Sequence, residues 1–271
     1  MFNVDNHKCI GCGLCIEDCF VKDISIIDNK AFIKNKDCIK CGHCIAICPT
    51  NAISTDDYNM NEVINYDEDT FNINSENLLN FIRFRRTIRK FKDKEVEPEK
   101  LLKIIEAGRY TPTASNLQNV SYIVVREKIN ELRELVLESL NNLGEEIIKT
   151  SKNELEIKYA KSWKLMYKIF KRNPQKQDNL FFFSKNIIII TSPNDLNAGL
   201  ASTNLELMCN ALGLGALYSG FFILASHNSH KIKEFLNLKA DEKIINCIVI
   251  GYPDVKYLRT VPRKEPSIKW L

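Results

Sequence analysis

Apolar and polar positions change rhythm along this chain, and each rhythm predicts a different kind of element. Over residues 21–33 apolar residues alternate with polar ones in short runs, the period of a β-hairpin. Ala52-Ile53, after Pro49, reads as a further strand that closes the same small region. From residue 54 to 77 the period is lost. Asp, Asn, Glu and Thr dominate there, with neither Gly nor Pro, and the stretch reads as a polar connector draped over a surface.

Helical spacing starts near Glu76, with Leu78, Leu79, Phe81, Ile82 and Phe84. Pro98, followed by Glu-Lys-Leu-Leu-Lys-Ile-Ile-Glu-Ala, predicts a helix with proline in its first turn, where its missing N–H costs nothing. Ser121-Tyr-Ile-Val-Val125, Asn186-Ile-Ile-Ile-Ile-Thr191 and residues 247–251 predict strands. Helices are expected over 130–143, 155–170, 200–212 and 230–238. Strands separated by long helices make a layered α+β domain with a central sheet flanked by helices. The predicted organisation is a small domain over 1–55, a linker over 56–75 and a larger domain over 76–271.

The 271 residues, 45% hydrophobic and 27% charged, can fill one good core and leave room for a second, small domain. Net charge is +4, with no compact Lys/Arg block or aromatic-interleaved basic stripe, so a nucleic-acid partner is not expected. The N-terminus shows no basic start followed by an apolar run, and no export signal is expected. Residues 207–226 carry no charge, but Asn210, Gly213, Gly215, Ser219 and Gly220 interrupt them. They predict a buried helix, a glycine turn and a further apolar segment, with no membrane span.

Eight of the ten cysteines fall in the first fifty residues. Disulfides would suit a secreted chain, which nothing here suggests. Zinc takes four ligands, usually as two separated pairs. Here Cys9, Cys12, Cys15 and Cys19 form one C-x2-C-x2-C-x3-C run, and Cys38, Cys41, Cys44 and Cys48, followed by Pro49, form another. Three thiolates on a tight loop can grip three irons of a cubane, and the fourth reaches the other cluster. Cys9, Cys12, Cys15 and Cys48 are therefore assigned to one [4Fe–4S] cluster, and Cys38, Cys41, Cys44 and Cys19 to the other. Gly11, Gly13 and Gly42 suit loops whose N–H groups turn toward sulfide. Over about residues 1–55 the chain resembles two-cluster bacterial ferredoxins, departing at Phe20 where that family often has proline. Cys209 and Cys247 read as core residues, and His7 and His43 as surface neighbours of the cluster loops.

Three stretches of the larger domain hold candidate chemistry. Phe84-Arg-Arg-Thr-Ile-Arg-Lys-Phe91 gathers guanidinium forks that suit phosphate, although a solvated basic helix would look the same. Tyr110-Thr-Pro-Thr-Ala-Ser-Asn-Leu-Gln118 is a small polar loop that could meet a ligand's polar edge or be an ordinary turn. Leu212-Gly-Leu-Gly-Ala-Leu-Tyr-Ser-Gly220 lets backbone approach a flat ligand or another helix. There is no GxGxxG, so a dinucleotide fold is not supported.

In this order, and with Ile250-Gly-Tyr-Pro253 and Arg263-Lys264 after them, these stretches resemble the FMN-dependent nitroreductase family from about residue 76 to the end. The resemblance implies that Arg85, Arg86 and Thr87 hold the FMN phosphate and ribityl chain, and that Arg89 faces the N1/O2 edge. It implies that Thr113 and Asn116 approach the flavin from a partner subunit, with Gln118 nearby. Ser219 and Gly220 would present backbone near N5, and Arg263 and Lys264 would add phosphate ligands. Thr87 replaces a more usual serine, and Ser219 stands where some members carry glutamate.

The expected protein is thus a homodimeric, cytoplasmic oxidoreductase of an anaerobe. Its clusters would exchange electrons with FMN to reduce a small-molecule electron acceptor such as a nitro compound, quinone or activated alkene. Electrons could also come from NAD(P)H. The alternative is an electron-transfer module that serves a redox partner protein and has no small substrate of its own. No Ser-His-Asp or paired-carboxylate machinery is needed, and no catalytic side chain is assigned.

Overall fold

The computed structural model describes residues 1–239 and 242–271. The chain divides into two compact units. The first comprises Met1–Asn74 together with Thr113–Leu117, and the second Ser75–Pro112 and Gln118–Leu271.

In the first unit, β1 (Phe2–Val4) precedes the short helix α1 (Leu14–Glu17), and β2 (Ile24–Ile27) turns back into β3 (Lys30–Ile33). The hairpin turn is Asp28-Asn29, both left-handed with φ of 50° and 59°, a conformation that Asp and Asn tolerate better than other non-glycine residues. A second short helix, α2 (His43–Ala46), leads to β4 (Ile53–Thr55), which pairs antiparallel with β1, Val4 opposite Ile53. Phe2, Ile24, Ala31, Ile33, Ala52 and Ile53 are buried together with Cys9 and Cys15. The connector is not featureless as expected. It contains a helical turn at Met60–Glu62 and the one-turn helix α3 (Glu68–Phe71), begun by Asp67, whose carboxylate accepts the Asp69 N–H.

The second unit opens with α4 (Ser75–Phe84) and α5 (Pro98–Arg109), then β5 (Ser121–Val125), α6 (Ile129–Thr150) and α7 (Glu154–Arg172). There follow β6 (Asn186–Thr191), α8 (Asp195–Ala211), β7 (Gly215–Tyr218), α9 (Gly220–His227), α10 (His230–Phe235) and β8 (Ile244–Gly251). Four strands form one antiparallel sheet in the order β5-β6-β8-β7. Every residue of β6 is buried. Ile187 and Ile189 join one apolar cluster with residues of α6, α7 and α9, and Ile188 and Ile190 join another with residues of α5 and α8. Period-two alternation sends successive side chains to opposite faces, so a strand covered on both faces is apolar at every step.

Two strands are absent from the sequence reading, the three-residue β1 and, in the larger unit, β7. Residues 215–218 look there like one more apolar segment after a glycine turn. They become a strand because β8 supplies hydrogen-bond partners along their length, Leu217 opposite Val249.

Filling of the two-sided core is tested at Ile189, which is fully buried. Ile189→Ala is expected to lower the unfolding free energy by about 2–5 kcal/mol, measured by urea denaturation. A loss no larger than that of the exposed Leu102→Ala would show that this face is not packed as described.

Candidate functional site

Two hollows in the first unit are rimmed by thiols. One is lined by Cys9, Cys12, Cys15 and Cys48, the other by Cys19, Cys38, Cys41 and Cys44. The fourth cysteine of each run therefore stands with the first three of the other. Among the described residues, no three His, Cys, Asp or Glu side chains converge where a single metal ion would sit. Each hollow is rimmed by four thiols, the number and type of ligand that one [4Fe–4S] cluster takes.

Local backbone explains how the loops form. Gly13 and Gly42 are left-handed and precede the short helices that carry Cys15 and Cys44. Gly11 is also left-handed, and a Cβ there would lie 2.3 Å from the Asn29 carbonyl oxygen, so glycine is required. Lys40 holds the matching place in the second loop with φ of 56°, without being glycine.

Backbone N–H groups of Ala31 and Ala52 donate to the sulfurs of Cys9 and Cys48, both at 3.3 Å. At Cys48 burial opposes ionisation, but donors from Ala52 and Thr50 outweigh it and hold the thiol below its usual range. Burial pushes Cys15 upward and carries Cys44 up to about 12. His43 lies 3.1 Å from Asp18 through Nδ1, on the surface.

In the second unit, the arginine stretch lies along β7. Thr87 bridges Ala216 in parallel, and the Ile88 N–H donates to the Ala216 carbonyl at 3.0 Å. Gly215 permits this approach, since a Cβ there would meet Ile88 at 2.5 Å. Arg85 pairs with Glu206 of α8 at 2.5 Å, both side chains mostly buried. Arg86 donates to the Arg83 carbonyl at 2.8 Å and also to that of Arg85. Nε of Arg85, and Nε and Nη2 of Arg86, are buried without a partner. Buried guanidinium N–H groups left unpaired are costly, and an anion of phosphate type would satisfy them. Thr87 and Arg89 are exposed.

Ser219 is buried at the start of α9, its N–H donating to the Cys247 carbonyl at 2.9 Å, and Gly220 is exposed. The fold therefore brings the arginine and glycine stretches together. Arg263 and Lys264 lie in the exposed tail after β8. Thr113 and Asn116 belong to the first unit, where the Asn116 amide donates to the carbonyls of Ile39 and Lys40, and Gln118 belongs to the second.

Glu206 and Tyr218 went unnoticed in the sequence. Glu206 is the one charge inside α8 after Asp195, a faint signal of a buried partner. Burial and then the nearby Glu206 raise the Tyr218 hydroxyl. Elsewhere in this unit, an open cavity of about 610 Å³ is lined by Phe91, Arg126, Arg133, Asp178 and Phe183 among others, and shares none of the sequence-predicted site residues. Trp163, Phe170 and Phe181 are buried core residues.

A family model described as the nitroreductase family matches residues 82–252. The chain belongs to the nitroreductase family. A second model, described as a 4Fe-4S dicluster domain, matches residues 1–66. Among solved structures, a nitroreductase with bound FMN from Bacteroides fragilis aligns at 16% identity with a TM-score of 0.56, over 73% of this chain and 100% of that one. A BluB-like flavoprotein from Clostridium difficile aligns at 17% identity and TM-score 0.53, over 70% of this chain and 94% of that one. A nitroreductase with bound FMN from Desulfitobacterium hafniense aligns at 19% identity and TM-score 0.51, over 70% and 97%. At these identities the likeness is one of fold. A comparison with curated proteins returns no match. Among the described residues, no helix is long and apolar enough to cross a membrane.

The cofactors that go with the two family matches are FMN and [4Fe–4S] clusters, and both donor sets fit. Cluster ligands must be thiolates, whereas an ordinary thiol is protonated at neutral pH and burial pushes Cys15 and Cys44 further in that direction. Anaerobic reconstitution is expected to release protons, and cluster loading to weaken as pH falls. A pH-stat and the visible absorbance check this; loading indifferent to pH would contradict ligation by thiolates.

Proposed function

We propose that this nitroreductase-family chain is an FMN-dependent oxidoreductase in which two [4Fe–4S] clusters exchange electrons with FMN to reduce a small electrophilic acceptor. Nitro compounds, quinones and activated alkenes are the acceptor classes. One observation carries the reading: a single chain holds two crossed thiol quartets and a set of unpartnered guanidinium donors beside its glycine strand. FMN supplies one- or two-electron chemistry and each cluster one-electron chemistry, which leaves binding, orientation and electrostatics to the protein.

Arg85, Arg86 and Thr87 would hold the phosphate and ribityl chain, with Arg263 and Lys264 of the tail adding charge. Arg89 would place a fixed positive charge at the flavin's N1/O2 edge, where preorganised charge favours the reduced form. Ser219 and Gly220 would offer backbone near N5, and Thr113 and Gln118 of a second copy of the chain would approach the ring. The Cys9-Cys12-Cys15-Cys48 and Cys38-Cys41-Cys44-Cys19 quartets would each bind one cluster. A second copy of the chain is the expected partner. Leu78, Leu79, Ile82 and Phe84 of α4 are exposed, as are Leu258, Val261, Ile268 and Trp270 of the tail, and apolar surface of this extent favours association. The reduced thiols the clusters require favour a cytoplasmic site.

Protein prepared without air is expected to contain iron, sulfide and FMN, and to turn over a small nitro or quinone acceptor with a reduced one-electron donor. Turnover that appears only when a redox protein is added would mark an electron carrier instead, and bleaching of the flavin by NAD(P)H alone would put the donor at the flavin. Arg86→Ala removes charged donors of about 1.5–3 kcal/mol, so FMN affinity should fall by roughly 10–150-fold with iron content unchanged. Unaltered FMN binding, measured by flavin fluorescence, would remove Arg86 from the site.

A further inference from the structure

The two cluster loops are built to the same sequence plan but are held differently. In the first, Gly11 takes the left-handed position freely. In the second, Lys40 holds it with φ of 56°, a conformation that residues with a Cβ adopt only at a cost, and it is clamped from outside. The Lys40 carbonyl accepts from the Asn116 amide at 2.9 Å and from the Tyr58 hydroxyl at 3.1 Å. The Ile39 carbonyl accepts from the same amide at 3.1 Å. The Lys40 ammonium is tied to Asp57 at 2.8 Å.

Asn116 is itself held in an unusual backbone. Ser115, Asn116 and Gln118 are left-handed, with φ of 51°, 54° and 47°. Non-glycine residues persist there only where the surroundings over-determine them. An amide nitrogen has two hydrogens to donate, and Asn116 spends its pair on consecutive carbonyls of one loop.

Those carbonyls share planar trans peptides with the N–H groups of Lys40 and Cys41, so fixing each carbonyl toward Asn116 turns the paired N–H the opposite way. Asn116 does not line the hollow rimmed by Cys38, Cys41 and Cys44, whereas Ile39 and Cys41 do. We infer that Asn116 is a positioning residue for the second cluster loop: it holds the Ile39–Lys40 and Lys40–Cys41 peptides so that their N–H groups serve that cluster's sulfurs, and thereby sets that cluster's reduction potential apart from the other's. Hydrogen bonds to cluster sulfur favour the more negative, reduced state and so raise the potential. This rests on the proposed cluster binding and deepens it, since a residue expected at the flavin is assigned instead to a cluster.

The test is a redox titration of the whole protein followed by electron paramagnetic resonance, with FMN affinity measured alongside. Two cluster midpoints in the unaltered protein are the starting condition. Their absence would overturn the cluster reading itself, and this inference with it, before any variant is made. Asn116→Ala should shift one midpoint to more negative potential, leave the other in place and leave FMN affinity unchanged. Asn116→Asp keeps the shape but offers oxygens to both carbonyls, and should shift the same midpoint further or release that cluster alone, seen as loss of half the iron. Midpoints that stay put in both variants, or that move together, would overturn the inference. Weakened FMN binding with unmoved midpoints would overturn it too, and would return Asn116 to the flavin.

Discussion

The N–H of Ile88 donates to the carbonyl of Ala216, and this single backbone bond joins stretches more than a hundred residues apart. On one side of it stand Arg85 and Arg86, on the other β7, which ends one residue before Ser219. The approach exists because Gly215 has no side chain where Ile88 lies. It holds because β7 is anchored along its other edge to β8, which is locked in turn to the doubly buried β6. A loop free of the sheet would lose that placement to conformational entropy. Attached to a strand two positions from the fully buried centre, it inherits the rigidity of the core.

Charge completes the arrangement. Arg85 is neutralised by Glu206 from α8, a helix otherwise nearly free of charge. A mostly buried pair of this kind gains less than its Coulomb attraction suggests, because both groups lose water. Its use here is geometric. It fixes one end of the Arg85 guanidinium, while Nε of Arg85 and Nε and Nη2 of Arg86 stay buried without protein partners. A protein surface rarely leaves buried donors idle, and a phosphate-bearing cofactor is the kind of ligand that ends the mismatch.

The cluster unit solves a different problem with little apolar material. Its core is a handful of side chains around two short strand pairs, an amount that small domains commonly supplement with metal. Metal binding and folding are coupled in such cases. Cys9 and Cys15 are buried within this core and Cys19, Cys38, Cys44 and Cys48 pack against it, so the ligand set and the core are one structure.

Ligand spacing, strand period and helix period are local properties, and local properties survive in a linear sequence. The crossed cysteine quartets, the hairpin, β5, β6 and the helix begun by Pro98 could be read for that reason. The arginine and glycine stretches were visible as candidates, but nothing in either one says that they touch. Partnership across a hundred residues leaves no period and no fixed offset. The same holds for Glu206 beside Arg85, and for Asn116 on a loop seventy-six residues before it in the chain. β7 carried too short an alternation to declare itself and became a strand only through β8. The sequence by itself determined which chemical groups this protein owns and the regular elements that carry most of them. Tertiary structure alone decided which of those groups meet, because that depends on long-range packing and hydrogen bonds that no single stretch of chain contains.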